Sequence, residues 1–192
     1  MPPVLGSRST YVRARIGGHE GRRLVNGDLL PVPDVRRTFR AHWQIDERIV
    51  PPYSGFAVVR IIPGAQSDQF DPAWTDRPFK VSTQSDRMGV RLLGAPLQRR
   101  ITEDMTSSAV APGTVQVPPD GQPIVLLADA QTIGGYPQVA HVIAVDLPVM
   151  AQLRPGDEVR FILVTLENAR DLIAAQERAI GLLREGLAQK LT

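Results

Sequence analysis

One stretch of polar residues follows a short apolar run and has the composition of a small-molecule site. The apolar run is Ile124–Ala128, and the polar residues after it are Asp129, Gln131, Thr132, Gly134, Gly135 and Tyr136. The carboxylate, amide and hydroxyl of Asp129, Gln131 and Thr132 can hydrogen-bond an amide or ureido group, so these three are the candidate catalytic residues. The glycine pair lets backbone N–H groups approach a ligand without Cβ interference. The alternative is a tight connection whose polar groups satisfy one another.

A second group of candidate binding residues lies elsewhere in the chain. Ser85, Asp86 and Arg87 precede a Met-Gly step that enters a predicted strand, where a carboxylate and a guanidinium can orient a polar substrate. Gln116 and Gln122 flank the turn signal Pro-Pro-Asp-Gly, which places them at the ends of paired strands. The competing interpretations are a solvated salt bridge for Asp86 and Arg87, and turn chemistry alone for the two glutamines.

Composition excludes several classes of function. The chain has 192 residues and no cysteine, which excludes disulfides, thiolate metal sites and cysteine nucleophiles and is typical of a cytoplasmic protein. The formal net charge is only +2 and aromatic residues are sparse, so we expect no nucleic-acid partner. No apolar run is long enough to span a membrane, so we expect no membrane partner. The three histidines lack ligand spacing, and no metal site is predicted.

Short apolar segments separated by glycine and proline predict a mainly β fold. Seventeen prolines and sixteen glycines leave room for strands and little room for helices. The spacing indicates a closed antiparallel barrel or a sandwich. The predicted strands are Thr10–Arg15, Ala57–Ile62, Val90–Leu93, Val115–Val117, Ile124–Ala128, Val139–Val145 and Val159–Val164.

Two further segments depart from this strand pattern. Apolar residues recur at three- and four-residue intervals from Leu166 to Lys190, which predicts a C-terminal helix over 166–190. Gly181 and Gly186 weaken that helix, so it must dock on the barrel or on a partner. Residues 63–78 predict an irregular surface excursion anchored by Phe70 and Trp74.

Read together, several of these motifs resemble the C-terminal part of the allophanate hydrolase subunit 2 family. That family includes the C subunit of the ATP-dependent 5-oxoprolinase, the kinase-inhibitor antagonist KipA, and part of the carboxyltransferase domain of urea carboxylase. The residues that carry the resemblance are Pro2–Tyr11, Gly17–Arg22, Ser85–Leu92, Pro112–Asp129, Gln131–Pro137 and Leu153–Phe161.

The resemblance implies a cyclophilin-like antiparallel β-barrel, roughly residues 36–165, with the long C-terminal helix packed against it. It implies that residues 1–35 form a junction with an N-terminal lobe that this chain lacks. In the leading interpretation the chain is a subunit of an ATP-dependent 5-oxoprolinase, partnered by the companion A and B subunits and inactive alone. The resemblance also implies that no cofactor is bound covalently and that a partner supplies ATP or carboxybiotin.

Two departures from the family pattern lie inside the proposed site. Family members carry a basic residue where this chain has Ala130, and commonly a threonine where it has Ile133. The loss of a cation beside Asp129 would weaken binding of a carboxylate or a carboxylated cofactor. Three alternatives therefore stay open: a biotin-dependent carboxyltransferase of urea degradation, a non-catalytic KipA-like antagonist, and an inactive remnant.

Overall fold

A computed structural model of the chain describes residues 1–31, 45–101 and 105–191. The chain divides into two compact units, residues 1–44 and 45–192. The predicted boundary between residues 35 and 36 lies outside the described residues.

Nine strands and two α-helices are described, all of them in the second unit. The strands are β1 (Phe56–Pro63), β2 (Phe79–Val81), β3 (Gly89–Leu93), β4 (Ser108–Ala109), β5 (Thr114–Gln116), β6 (Ile124–Leu126), β7 (Ile133–Gly134), β8 (Gln138–Val142) and β9 (Glu158–Leu163). The α-helices are α1 (Leu147–Gln152) and α2 (Leu166–Leu191). The 3₁₀ segments within the described residues are Glu47–Ile49, Ser67–Gln69, Pro72–Asp76 and Ala144–Asp146.

Seven of these strands close into a barrel in the order β1-β8-β5-β6-β3-β2-β9, with β9 returning to β1. The predicted β-barrel with a long C-terminal helix is thus confirmed. One neighbouring pair differs from the antiparallel expectation, because β1 and β9 run parallel, from Phe56 beside Glu158 to Ile61 beside Leu163. An odd number of strands cannot alternate in direction all the way around a closed barrel, so one parallel pair is required.

The barrel core is built from alternate residues of each strand. In β1, Ala57, Val59 and Ile61 are buried, while Phe56 and Val58 are half exposed. This period of two places one face of each strand inside the barrel. The excursion at 63–78 is anchored as predicted, since Phe70 is buried and the Trp74 ring lies 5.3 Å from that of Phe161.

Arg60 and His141, on strands of the barrel wall, have shifted pKa values. Asp146 is buried and accepts hydrogen bonds from Nε of Arg60 at 2.9 Å and from the Arg60 backbone N–H at 2.7 Å. The side-chain hydrogen bond raises the pKa of Arg60. Burial lowers the pKa of His141, whose Nδ1 lies 3.3 Å from Oγ1 of Thr114.

The described part of the first unit, residues 1–31, consists of turns. The strand predicted at Thr10–Arg15 is wrong, because Tyr11 and Ile16 form an isolated bridge around a turn. Arg22 donates two hydrogen bonds to the Asp28 carboxylate, at 2.8 and 2.7 Å, and this pairing lowers the pKa of Asp28. Residues 1–31 are therefore held by tight turns and by the ion pair of Arg22 with Asp28.

Helix α2 has the length of a membrane span but carries charges throughout. Within residues 1–31, 45–101 and 105–191, no helix combines the length and the apolar character that crossing a bilayer requires.

Candidate functional site

The polar stretch after β6 leaves the barrel wall and builds a small sheet of its own. Ile133–Gly134 pairs antiparallel with Ser108–Ala109, and the N–H of Val110 donates to the Thr132 carbonyl at 3.0 Å. The chain then re-enters the barrel as β8. Gln131 and Thr132 immediately precede β7 and are exposed.

An ion pair joins the two groups of residues that the sequence singled out. Nε of Arg87 lies 3.0 Å from Oδ2 of Asp129. Their side chains are 60% and 53% exposed, so solvent screens the pair and its contribution to stability is less than about 1 kcal/mol. The pair connects the turn before β3 with the turn after β6.

Ser85 and Asp86 are committed to the turn that enters β3. Oδ1 of Asp86 accepts from the N–H groups of Met88 at 2.9 Å and Gly89 at 3.3 Å. Oγ of Ser85 accepts from the Arg91 N–H at 3.0 Å. The Asp86 carboxylate thus caps the turn, and Arg87 forms an ion pair with Asp129.

Gln116 supports the glycine pair from beneath. Its side chain is 2% exposed, and its Nε2 donates to the Tyr136 carbonyl at 3.4 Å. A Cβ placed on Gly134 would lie 2.5 Å from that Nε2, closer than nonbonded atoms approach. Any larger residue at 134 would therefore force the Gln116 amide to shift.

A second buried glutamine holds the same small sheet, and sequence reasoning missed it. Gln138 is 6% exposed, and its Nε2 donates to Oγ of Ser108 and to the Ala109 carbonyl, both at 3.0 Å. The only signal in the sequence is an amide at the start of the apolar run Gln138–Val142, because a polar side chain inside a barrel wall needs partners.

Gln122 has a structural role at the neighbouring turn. Its Oε1 accepts from the Gly94 N–H at 2.9 Å, and its Nε2 donates to the Gly94 carbonyl at 3.2 Å. Both polar atoms of the amide are thus engaged with one residue of the loop after β3.

A cleft of about 790 Å³ lies beside the second glycine of the pair. Gly135, Tyr136 and Pro137 line it together with Arg99 and Met105, neither of which the sequence indicated. Its other lining residues are Pro96, Leu97, Gln98, Ile101, Val117, Pro118, Pro119, Asp120 and Gly121. We call this the glycine-side cleft.

Gly135 and Tyr136 each bring a backbone N–H group to the lining of this cleft. Within the described ranges, the N–H groups of Gly135 and Tyr136 make no hydrogen bond. Backbone N–H groups beside a cleft can donate to a carbonyl oxygen of a ligand and stabilise negative charge that develops on it.

Tyr136 also borders a second, smaller cleft of about 430 Å³. This second cleft is lined by Gln122 and Arg91 as well, and it shares the turn at residues 118–120 with the glycine-side cleft. Tyr136 and that turn therefore form the ridge between the two clefts.

The structure brings some of the predicted site residues together and leaves others apart. Gly135 and Tyr136 line the glycine-side cleft, with Gln116 and Gly134 directly behind them. Asp129, Gln131 and Thr132 line neither of the two clefts, and the same is true of Ser85, Asp86 and Arg87.

Residues 1–163 match the protein family described as carboxyltransferase domain, subdomain A and B. The chain belongs to this family. The resemblance found in the motifs is confirmed at that level.

Individual relatives of this carboxyltransferase-domain chain are named for two activities. It is 40% identical over 182 residues to the C subunit of 5-oxoprolinase from Escherichia coli K12, covering 93% of this chain and 57% of the relative. It is 38% identical over 194 residues to the corresponding protein of Haemophilus influenzae, covering 99% of this chain and 61% of the relative. The crystal structure of Kluyveromyces lactis urea amidolyase superposes with a TM-score of 0.72 at 25% identity, covering 93% of this chain and 12% of that one. The chain thus spans about three-fifths of the length of the curated 5-oxoprolinase relatives it matches.

Proposed function

We propose that this chain is part of a multi-subunit enzyme that opens the lactam ring of 5-oxoproline, with the glycine-side cleft as the site that binds the lactam. The supporting observation is the pair of N–H groups at Gly135 and Tyr136, which have no partner among the described residues and lie beside a cleft large enough for a small substrate. The similarity to two bacterial 5-oxoprolinase C subunits supports this choice of substrate.

The residues of the cleft have different proposed roles in binding the substrate. The N–H groups of Gly135 and Tyr136 hydrogen-bond the lactam oxygen, which gains negative charge when the carbonyl carbon is attacked. Donors placed in this way typically contribute about 3–4 kcal/mol each to lowering the barrier. Arg99 lines the cleft wall while its Nε donates to Oε1 of Gln69 at 2.8 Å, and the positive charge of its guanidinium suits the carboxylate of 5-oxoproline.

Gln116 acts as a positioning residue. Its buried amide holds the Tyr136 carbonyl and passes close under Gly134, so it fixes the backbone that carries the two donors. The companion A and B subunits, which we propose as partners, supply the remaining groups and the handling of ATP.

Carboxyl transfer is the second candidate, and the family match favours it. Carboxybiotin delivered on a partner's carrier domain would supply an activated carboxyl group. The residues present fit such a ligand, because the Gly135 and Tyr136 N–H groups suit a ureido oxygen and Arg99 suits a carboxylate. Ala130, the position at which family members carry a basic residue, lines neither cleft.

Co-expression with the companion A and B subunits, followed by an assay of glutamate release from 5-oxoproline, tests the proposal. We expect ATP-dependent turnover that falls about a hundredfold or more with Gly135→Pro, which removes one N–H donor. Arg87→Ala is the matched control and should leave turnover within about twofold, since Arg87 lines neither cleft. Turnover that survives Gly135→Pro would contradict the role of the cleft, and biotin-dependent carboxyl transfer in place of ring opening would favour the second candidate.

A further inference from the structure

The second cleft contains a positive charge that none of the roles proposed above uses. Arg91 lies in β3 between the buried residues Val90 and Leu92, so its side chain points out of the barrel, where it lines the second cleft. Its backbone is fixed, because the Arg91 N–H donates to Oγ of Ser85 at 3.0 Å and its carbonyl accepts from the Ser82 N–H at 2.9 Å. Its guanidinium has no hydrogen-bond or ion-pair partner among the described residues. The guanidinium is therefore available to an anionic group that enters the cleft.

Asp120 brings a negative charge to the ridge between the two clefts. It lies in the turn between β5 and β6 and lines both clefts, and among the described residues it is the one carboxylate in either lining. The turn is closed by the Gly121 N–H, which donates to the Pro118 carbonyl at 2.9 Å. Oδ1 of Asp120 accepts from the Gln122 N–H at 3.0 Å, while Oδ2 has no partner in the described part of the chain. A held carboxylate with one open oxygen can accept from a cationic group of a ligand.

The charges that line the two clefts alternate in sign. Arg99 lines the glycine-side cleft, Asp120 lies on the ridge, and Arg91 lines the second cleft. A ligand that carries a carboxylate, an ammonium group and a second carboxylate in this order is complementary to them. Complementary charges of this kind determine which ligand a site accepts. Glutamate carries its three charges in that order.

Opening the lactam creates the two charges that 5-oxoproline lacks. The net change at the ring is the addition of one water molecule across the C–N bond. The carbonyl carbon gains the water oxygen and becomes a carboxylate, and the nitrogen gains both protons and becomes an ammonium group. The substrate carries one carboxylate, whereas the product carries two carboxylates and one ammonium group. A site for the product therefore needs one anionic and one cationic group beyond those that bind the substrate.

We propose that the second cleft is a product subsite, in which Asp120 binds the ammonium group and Arg91 binds the new carboxylate of glutamate. This proposal rests on the ring-opening function proposed above. The original carboxylate stays on the Arg99 side of the ridge. 5-Oxoproline has no ammonium group for Asp120 and no second carboxylate for Arg91, so the subsite distinguishes the product from the substrate by charge.

Ligands that lack one charge each test the two contacts separately. Amide shifts of the labelled full chain give dissociation constants for glutamate, for glutamine, which lacks the second carboxylate, and for glutarate, which lacks the ammonium group. Arg91→Gln should weaken binding of glutamate about fivefold and that of glutamine by less than about twofold. Asp120→Asn, whose amide oxygen can still accept from the Gln122 N–H, should weaken binding of glutamate by a similar factor without weakening that of glutarate.

The matched controls are Arg87→Gln and Asp129→Asn, because this exposed ion pair lines neither cleft. Both should leave the affinity for glutamate within about twofold of that of the unchanged chain. The same spectra show that each variant is folded. Equal losses of glutamate affinity in Arg91→Gln and Arg87→Gln, or glutamate that binds no better than glutamine and glutarate, would overturn the product subsite.

Product inhibition of the assembled enzyme is a second measurement. With the companion A and B subunits present, Arg91→Gln should raise the inhibition constant of glutamate about fivefold and leave KM for 5-oxoproline within about twofold, because Arg91 does not line the glycine-side cleft. An unchanged inhibition constant would overturn the product subsite and leave the ring-opening function intact. An assembled enzyme that releases no glutamate from 5-oxoproline would instead contradict the proposed function on which the subsite rests.

Discussion

Replacing Gly134 by alanine tests how tightly the small sheet is held over the barrel. The added Cβ would lie 2.5 Å from Nε2, 3.3 Å from Cδ and 3.4 Å from Oε1 of Gln116. Gln116 is buried and bonded to the Tyr136 carbonyl, so it has little room to move. Forcing one extra carbon into a packed site typically costs about 1–3 kcal/mol, and we expect Gly134→Ala to lower the free energy of unfolding by that amount.

Denaturant unfolding of the full chain, followed by tryptophan fluorescence, measures this change. Gly135→Ala is the matched control, because a Cβ there meets only Oγ of Ser107 at 3.4 Å. We expect the control to cost less than about 0.5 kcal/mol, as surface substitutions usually do. Gln116→Ala opens space for the new methyl group, so the double variant Gly134→Ala/Gln116→Ala should be more stable than the sum of the single changes predicts.

If Gly134→Ala destabilises the chain no more than Gly135→Ala, the close approach of Gln116 does not constrain the backbone. If the double variant shows purely additive effects, the two residues are not coupled in the way that contact implies, since contacting residues typically couple by about 0.5–3 kcal/mol.

Three further predictions follow from the polar groups of the barrel unit. Arg60→Ala should destabilise the chain by about 3 kcal/mol in urea unfolding, because it leaves the Asp146 carboxylate buried without a countercharge, and it should cost more than Asp146→Asn. The lowered pKa of His141 means that the unfolded chain binds a proton that the folded chain does not. Stability should therefore rise as pH increases towards about 6.5 and level off above it, and His141→Gln should flatten unfolding curves measured across that range. Arg87→Ala and Asp129→Ala should each change stability by less than about 1 kcal/mol, with the difference vanishing in high salt, because that ion pair is exposed.

The parts of the fold that sequence predicted well are those with strong local periodicity. The apolar run Ala57–Ile62, stopped by Pro63 and Gly64, and the helical spacing after Leu166 each lie within an element that the structure contains. Thr10–Arg15 has the composition of a strand, but the strand does not form, because the surrounding glycines and positive-φ residues fold the chain into turns. Residue composition alone does not show whether such a segment forms a strand or folds into turns.

The candidate site could be predicted only in part. The glycine pair and Tyr136 were recognisable because their residue types permit close approach by a ligand, and Gly135 and Tyr136 line the glycine-side cleft. Arg99 lies far from them in sequence and joins the same wall through the folding of the barrel. Asp129 follows a buried strand, as a site residue would, yet its carboxylate pairs with Arg87 on another turn. Whether a residue that follows a buried strand lines a cleft depends on the direction in which its loop leaves the barrel.

Backbone amide shifts of the labelled chain during titration with 5-oxoproline show whether the glycine-side cleft binds the lactam. We predict that the N–H signals of Gly135 and Tyr136 shift most and saturate together, and that Gly134→Ala weakens the binding. Saturable shifts confined to the turns of Arg87 and Asp129, with Gly135 and Tyr136 unmoved, would contradict the assignment of the glycine-side cleft as the ligand site.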